Sequence, residues 1–261
     1  MTTTVARASF DFSGTTTVIT GGASGIGLSC AEAIARAGGG VIISSSRNPA
    51  KTDAALQRLR ALAPGVPMSA HPCEVGDEAS VAGFFGAIAA GGARVDHLIH
   101  SAGVSPNTDF LAQTQAEWDQ VHNINATGSF LVTKHAAGLM RHNEPVEGWR
   151  GRIVLITSTN GINSNDPVSA HYDSSKAGNN MLVRNAAEAL APLGIVVNGL
   201  APGWINTALN ATLPPEVRAR ESAKIWMQRW AEPGEVATAA LHVLTLPYYM
   251  AQVLLVDGGY R

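Results

Sequence analysis

The chain has 261 residues, of which 46% are hydrophobic and 15% charged, a balance that excludes a disordered chain and fits a well-buried globular protein. Its net charge of -2 leaves no electrostatic footprint for nucleic acid or an anionic membrane. One hydrophobic core suffices at this length, so a single domain over residues 1–261 is expected. The opening Met1-Thr2-Thr3-Thr4 lacks the apolar run of an export signal, and the apolar stretch 243–256 is broken by Pro247 and too short to span a bilayer. Cys30 and Cys73 read as buried, reduced thiols of a cytoplasmic protein.

In chain order, residues 15–20 predict a short buried strand running straight into Gly21-Gly22-Ala23-Ser24-Gly25-Ile26-Gly27. A helical run follows through Ile34 and Ala37, Gly38-Gly39-Gly40 ends it, and Val41-Ile42-Ile43 starts the next strand. Strand, glycine-rich turn, helix and strand make the opening unit of a dinucleotide-binding fold. Glycines let backbone amides approach a pyrophosphate, and the helix N-terminus adds partial positive charge there. The spacing is Gly-x3-Gly-x-Gly, not the commoner Gly-x-Gly-x-x-Gly, and a plain glycine-rich turn between core elements is the competing reading.

Residues 53–62 read as a helix, 67–75 as a strand weakened by its prolines, and 78–90 as a helix with Val81, Phe84, Phe85 and Ile88 on one stripe. A fourth strand at 95–100 ends in Ser101-Ala102-Gly103, and one long helix carrying Asn125 and Gly128 is expected over 115–142. After a polar loop, a buried strand at 152–156 ends at Thr157-Ser158. Beyond the helix containing Tyr172 come a strand at 195–200, Pro202-Gly203, short amphipathic helices over 206–230 forming a substrate lid, a helix at 233–246 and a last strand at 252–256. About seven strands alternating with helices call for an α/β, doubly wound parallel sheet with helices on both faces. Ligands of such sheets lie outside the carboxyl ends of the strands, where four polar or glycine-rich strand exits converge here.

Tyr172-Asp173-Ser174-Ser175-Lys176 falls in a helical run, so the Tyr172 hydroxyl and the Lys176 ammonium share one face. A free phenol titrates near 10, too high to exchange protons readily at neutrality, and a nearby ammonium lowers that value. Tyr172 then becomes a usable general acid or base. His171 points in a different direction from its neighbour, which argues against the same role. No His, Cys, Asp and Glu cluster has metal-ligand spacing, so no catalytic metal is expected.

Thr20-Gly21-Gly22-Ala23-Ser24-Gly25-Ile26-Gly27, Ser101-Ala102-Gly103, Asn125-Ala126-Thr127-Gly128, Ser158, Tyr172-x3-Lys176 and Pro202-Gly203 are individually weak and jointly specific. On these residues the chain resembles the short-chain dehydrogenase/reductase family over nearly its whole length. The likeness is to 3-oxoacyl reductases and to sugar or alcohol dehydrogenases. The resemblance implies a Rossmann fold, a nicotinamide cofactor, a homotetramer and a catalytic set of Asn125, Ser158, Tyr172 and Lys176. Tyr172 would be the general acid in reduction and the general base in oxidation. Lys176 would lower its pKa and hold the nicotinamide ribose, and Ser158 would hydrogen-bond the substrate carbonyl. Asn125 would bend its helix locally and anchor a water that relays protons to Lys176. Gly21, Ser24, Gly25, Ile26 and Gly27 would line the pyrophosphate. Glu74, Val75, Ser101, Ala102 and Gly103 would pass the adenosine, while Pro202, Gly203, Ile205 and Thr207 would hold the carboxamide end. Thr157 or Thr159 competes for the place of Ser158, and the Ser158-to-Tyr172 gap, one residue longer than the family usually shows, leaves the choice between Ser158 and Thr159 open. His100 stands where an asparagine is usual and reads as a structural substitution. The segment 245–250 looks shortened, which leaves the packing of the chain beyond it open.

An NAD preference normally needs an acid at the end of the second strand, and here the sequence is Ser44-Ser45-Ser46-Arg47. With no carboxylate to repel it, a 2′-phosphate would accept bonds from Ser45 and Ser46 and pair with Arg47, so NADP(H) is favoured over NAD(H). For the substrate, a small carbonyl or alcohol, two readings stay open. The amide-rich loop 160–166 suits a sugar or polyol, while Trp204, Leu209, Leu213, Trp226, Met227 and Trp230 suit a larger apolar ketone or acyl group. Other outcomes of the same fold are an epimerase or dehydratase, or a non-enzymatic nucleotide sensor. The joint presence of the four residues argues against the sensor.

Overall fold

The computed structural model describes residues 9–45 (Ser45 by its backbone alone), 48–164, 167–211 and 213–261. In chain order the elements are β1 (Thr16–Thr20), α1 (Gly25–Arg36), β2 (Gly40–Ser45), α2 (Pro49–Leu62), β3 (Met68–Pro72), α3 (Glu78–Ala90), β4 (His97–His100) and α4 (Gln115–His122). Then follow α5 (Gly128–Met140), β5 (Gly151–Ile156), α6 (Ala170–Leu190), β6 (Ile195–Pro202), α7 (Pro215–Ala223), α8 (Pro233–Thr245) and β7 (Val253–Val256). β6 is buried along its whole length and β5 nearly so, which requires both faces of the sheet to be covered. The sheet is accordingly seven-stranded, in the order β3-β2-β1-β4-β5-β6-β7, with every pairing parallel. Because β1 pairs with β2 on one side and β4 on the other, the strand order reverses there, opening a crevice at their carboxyl ends.

Each face has its own core. On one, Ile34 of α1, Leu59 of α2 and Val236 and Leu241 of α8 pack on Ile19 and Ile43. On the other, Phe84 and Ile88 of α3, Val132 and Met140 of α5 and Val183 of α6 pack on Leu98, Ile153 and Val197. No helix among the described residues is long and apolar enough to cross a membrane.

Several boundaries differ from the sequence reading. The helix expected over 115–142 is interrupted by a π-helical turn at Asn123–Thr127, which separates α4 from α5. The Asn125 carbonyl accepts from Ser129 Oγ (2.6 Å) and Asn179 Nδ2 (3.0 Å), side-chain donors that compete with the regular ladder bond. α2 starts at Pro49, earlier than expected, because Asn48 caps it by accepting from Lys51 N and proline suits the first helical position. Of the short helices expected over 206–230, a single 3-10 turn (Ala208–Asn210) and α7 are found. The segment before β7 is held by buried Asn198, whose side chain donates to Tyr249 O (2.8 Å) and accepts from Gln252 N (3.1 Å).

Candidate active site

The glycine loop connects β1 to α1 under tight steric control. Gly21 has φ +67° and would place a Cβ 2.9 Å from Ala102 N, and Gly25 has φ +54°. Gly27 sits against the Gly21 carbonyl, which packs α1 onto the loop. Ser24, which borders the cavity beside the loop, starts α1 without a side-chain cap, and a helix N-terminus of this kind suits an anion. Beside the loop, Gly21, Ser24, Ser44, Lys51, Glu74, Val75, Ala102 and Gly103 line one cavity. Gly103 and Val104 border it and also the cleft next to it, so the two are continuous along the sheet edge. A positive-φ glycine cradle, uncapped helix amides and a long continuous groove fit a dinucleotide. Ser46 and Arg47 lie outside the described residues, as does the Ser45 side chain. Ser44 Oγ accepts from Gly21 N at 3.0 Å and so braces the loop.

The adjoining cleft, of about 170 Å³, brings together Ile26, Ser101, Ser158, Tyr172, Lys176, Pro202, Gly203, Ile205 and Thr207. Ser158 ends β5 and accepts from Asn160 N (3.1 Å), fixing a 3-10 turn at Thr159–Gly161. A Cβ on Gly161 would fall 2.6 Å from the Lys176 carbonyl carbon, so only glycine lets this turn press Ser158 toward α6. Both competitors also border the cleft, and of them Thr157 donates to Leu200 O (3.3 Å). It is the Ser158 hydroxyl that lies against the Tyr172 phenol.

Asn125 is buried and does not border the cleft. It accepts from Val104 N (2.9 Å) and donates to Val104 O (2.9 Å) and Ser175 Oγ (3.1 Å), and Ser175 donates to Tyr172 O (2.7 Å). Asn125 thereby braces the loop after β4 against the helix that carries Tyr172 and Lys176. His171 accepts from Tyr172 N through Nδ1 (2.9 Å) and is buried away from the cleft. His100 Nδ1 pairs with Thr20 Oγ1 (2.7 Å), which also accepts from Ser101 N (3.2 Å) and Ala102 N (3.4 Å), so the substitution organises the turn after β4. Burial, aided by the Lys176 charge, depresses the His100 pKa to about 3 and keeps the ring neutral.

The electrostatics correct one expectation. Burial raises the Tyr172 pKa; Ser158 partly offsets this and Asp173 adds to it, with no lowering by Lys176. The Lys176 ammonium donates to Ile156 O (3.0 Å) and lies 5.7 Å from the Tyr172 ring centroid. Burial depresses its own pKa to about 8.

The substrate side also differs from expectation. Of the loop 160–166, Asn160 borders the cleft, and its side chain donates to Asp173 Oδ1 (2.7 Å). Ile162 and Asn163 are exposed, and Asn165 and Asp166 lie outside the described residues. Trp204, Leu209 and Leu213 do form an apolar wall, extended by Val217 of α7. Trp226 and Met227 instead face solvent, and Trp230 is buried behind the wall, stacked on Trp204 at 5.0 Å. Val104, Ser105 and Asn107, from the loop after β4, complete the lining and carry no sequence motif that announces them. Lys51, which borders the cavity beside the glycine loop, carries no such motif either. Among the described lining residues Lys176 is the one cation, and no Asp or Glu is present. Among the described residues no group of three His, Cys, Asp or Glu is placed to hold a metal.

A family model described as enoyl-(acyl carrier protein) reductase matches residues 21–261. The 3-oxoacyl-(acyl-carrier-protein) reductase of Aquifex aeolicus is 32% identical over 254 residues, covering 94% of this chain and 97% of the relative. The cis-4-hydroxycyclohexanecarboxylate dehydrogenase of Sinomonas cyclohexanicum is 35% identical over 246 residues, covering 93% and 95%. Among solved structures, a short-chain type dehydrogenase/reductase from Mycobacterium marinum superposes with a TM-score of 0.89 at 29% identity, covering 96% of this chain and 97% of that one.

Proposed function

Since the chain belongs to the short-chain dehydrogenase/reductase family and is an NAD(P)-dependent oxidoreductase of CH-OH groups, we propose that it interconverts an uncharged ketone or aldehyde and the corresponding alcohol, with Tyr172 moving the proton. The observation that supports this reading is the meeting of Ser158, Tyr172 and Lys176 on one wall of a cleft continuous with the glycine cradle. A bound nicotinamide supplies or accepts the hydride. In reduction, Ser158 donates to the carbonyl oxygen and stabilises the charge that develops there. Tyr172 then gives its proton to that oxygen, and in oxidation the phenolate takes the proton back. Lys176, whose pKa burial lowers to about 8, is the group beside Tyr172 that would pass protons on from it. Asn125 holds the backbone of the loop after β4 in place. Gly21, Gly25 and the first-turn amides of α1 would seat the pyrophosphate, and Ile205 with Thr207 the carboxamide.

The finer reading is NADP(H) over NAD(H), carried by the absence of an acid in Ser44-Ser45-Ser46-Arg47 and by Lys51 at the same cavity. A neutral substrate with one apolar flank matches a lining of Leu209, Leu213, Val217 and Trp204 opposite Ser105 and Asn107. The exposed apolar side chains Phe110, Leu111, Trp118 and Phe130 support a homotetramer, and the buried free thiols of Cys30 and Cys73 a reducing cytoplasm.

The test starts with fluorescence titration by NADPH and NADH, followed by NADPH oxidation with 4-methylcyclohexanone and with 4-oxocyclohexanecarboxylate. Tighter NADPH binding and a kcat/KM at least about ten-fold higher for the neutral ketone are expected. Binding of neither dinucleotide would overturn the enzymatic reading, and preference for the carboxylate would overturn the substrate class.

A further inference from the structure

We infer that Tyr260 is a positioning residue for substrate, clasping Trp204 and α7 into one wall of the cleft; this rests on the reading of that cleft as the substrate site. After β7, Gly258 and Gly259 turn the chain at φ +66° and +78° and lay it beside residues 225–227. Gly259 O accepts from Trp226 N (3.2 Å), Gly258 O from Met227 N (3.1 Å), and Lys224 O from Arg261 N (3.2 Å). A Cβ on Gly259 would sit 2.9 Å from the Trp226 ring, so this approach demands glycine. The Arg261 guanidinium lies over the same ring, 4.7 Å from its centroid.

This register delivers the Tyr260 hydroxyl to buried Glu221 of α7, where it donates to Oε2 at 2.5 Å. Lys224 donates to both oxygens of the same carboxylate (3.0 and 2.9 Å), and Arg220 Nε adds a bond of 2.8 Å. Burial works to raise the Glu221 pKa, but these donors together hold it below its ordinary value, so the carboxylate stays charged. A buried charge with several donors is strongly oriented and costly to leave short of one.

Two walls of the cleft meet at this hydroxyl. Glu221 follows Val217 by one helical turn, so the grip acts on the face of α7 that borders the cleft. The indole N–H of half-buried Trp204 is itself out of solvent and sits beside the Tyr260 hydroxyl without a well-aligned hydrogen bond of its own. Trp204 is in turn backed by Trp230, over which the Arg218 guanidinium of α7 lies at 4.1 Å. The clasp touches none of Ser158, Tyr172 or Lys176, so it acts on where substrate sits rather than on the proton transfer.

The experiment compares the full chain with Tyr260→Phe and Tyr260→Ala. It measures 4-methylcyclohexanone kinetics with NADPH, NADPH affinity by fluorescence, and hydrogen exchange over residues 213–225. Tyr260→Ala is expected to raise KM about ten-fold with kcat within about twofold, unchanged NADPH affinity and faster exchange over 213–225. Tyr260→Phe, which keeps the ring and loses the hydroxyl, should fall between, and it carries the comparison if the alanine variant does not fold. Unchanged KM and exchange would overturn the inference, as would a proportional loss of kcat and NADPH affinity, the mark of general destabilisation. Exchange is read without substrate, so a chain that turns over no ketone counts against the proposed activity while exchange still decides the clasp.

Discussion

The Lys176 ammonium donates to the Ile156 carbonyl at 3.0 Å and lies beside the Tyr172 ring, 5.7 Å from its centroid. Helical spacing put both groups on one wall, yet spacing alone does not aim a flexible lysine at a phenol oxygen. Burial therefore governs both groups: it raises Tyr172 and depresses Lys176 to about 8.

That depression makes stability depend on pH with a defined sign. Unfolded, the ammonium keeps its proton up to 10.5; folded, it releases it above about 8. Between those values the unfolded chain binds more protons, so the contribution of Lys176 to stability rises with pH. Below about pH 8 its burial penalty is present in full, on the order of 3 kcal/mol. Urea midpoints of the wild type and Lys176→Met, measured from pH 7 to 10, should converge as pH rises. Parallel curves would show that the buried ammonium carries no such penalty.

Tyr172→Phe removes a hydroxyl and leaves the packing of α6 intact. Loss of a general acid lowers turnover by about 10²- to 10⁴-fold, while NADPH binding should be retained. Near-normal turnover of any ketone by this variant would refute the role given to Tyr172.

Gly27→Ala tests the cradle. The added Cβ would run into the Gly21 carbonyl, backbone that has no free rotamer to move away. Overpacking of this kind costs about 1 to 3 kcal/mol and shifts α1 from the loop. Both a lower thermal midpoint and weaker dinucleotide binding are expected. Gly83→Ala, on open space in α3, is the control that should leave dinucleotide binding unchanged and raise the thermal midpoint slightly, since alanine is the better helix former.

The features legible in the sequence are those where chemistry demands a residue type within a short span. The glycine loop had to be glycine because Gly21 and Gly25 take positive φ, and Tyr172 and Lys176 share a face because both lie in α6. The alternation of strands and helices was equally plain, since β5 and β6 carry the apolar runs 153–156 and 195–197. Periodicity ran through the π-helical turn at Asn123–Thr127, because the apolar stripe resumes in α5; the bend at Asn125 followed only from the family resemblance. The tie from Tyr260 to Trp204 and α7 was hidden for a different reason. Its contacts join β6, α7 and the segment after β7, and no local spacing encodes a meeting between such distant stretches. Trp226 and Met227 look like wall residues by type, yet they lie on the solvent side of the turn that Gly258 and Gly259 create.

The proposed preference for NADP(H) rests on cations beside the glycine loop. Lys51 lies in the first turn of α2 and borders the cavity that also holds Ser44, Ser24 and Glu74. Arg47 precedes it in the sequence but lies outside the described residues. A 2′-phosphate paired with either cation gains a charge-assisted bond that a 2′-hydroxyl cannot match. Lys51→Ala and Arg47→Ala are each expected to weaken NADPH binding by about ten-fold and leave NADH binding unchanged. Fluorescence titration with both dinucleotides reads this directly. Equal losses for NADPH and NADH would mean that the cations serve the groove as a whole. No loss in either variant would place the discrimination on the serine hydroxyls, where Ser46→Ala becomes the decisive substitution.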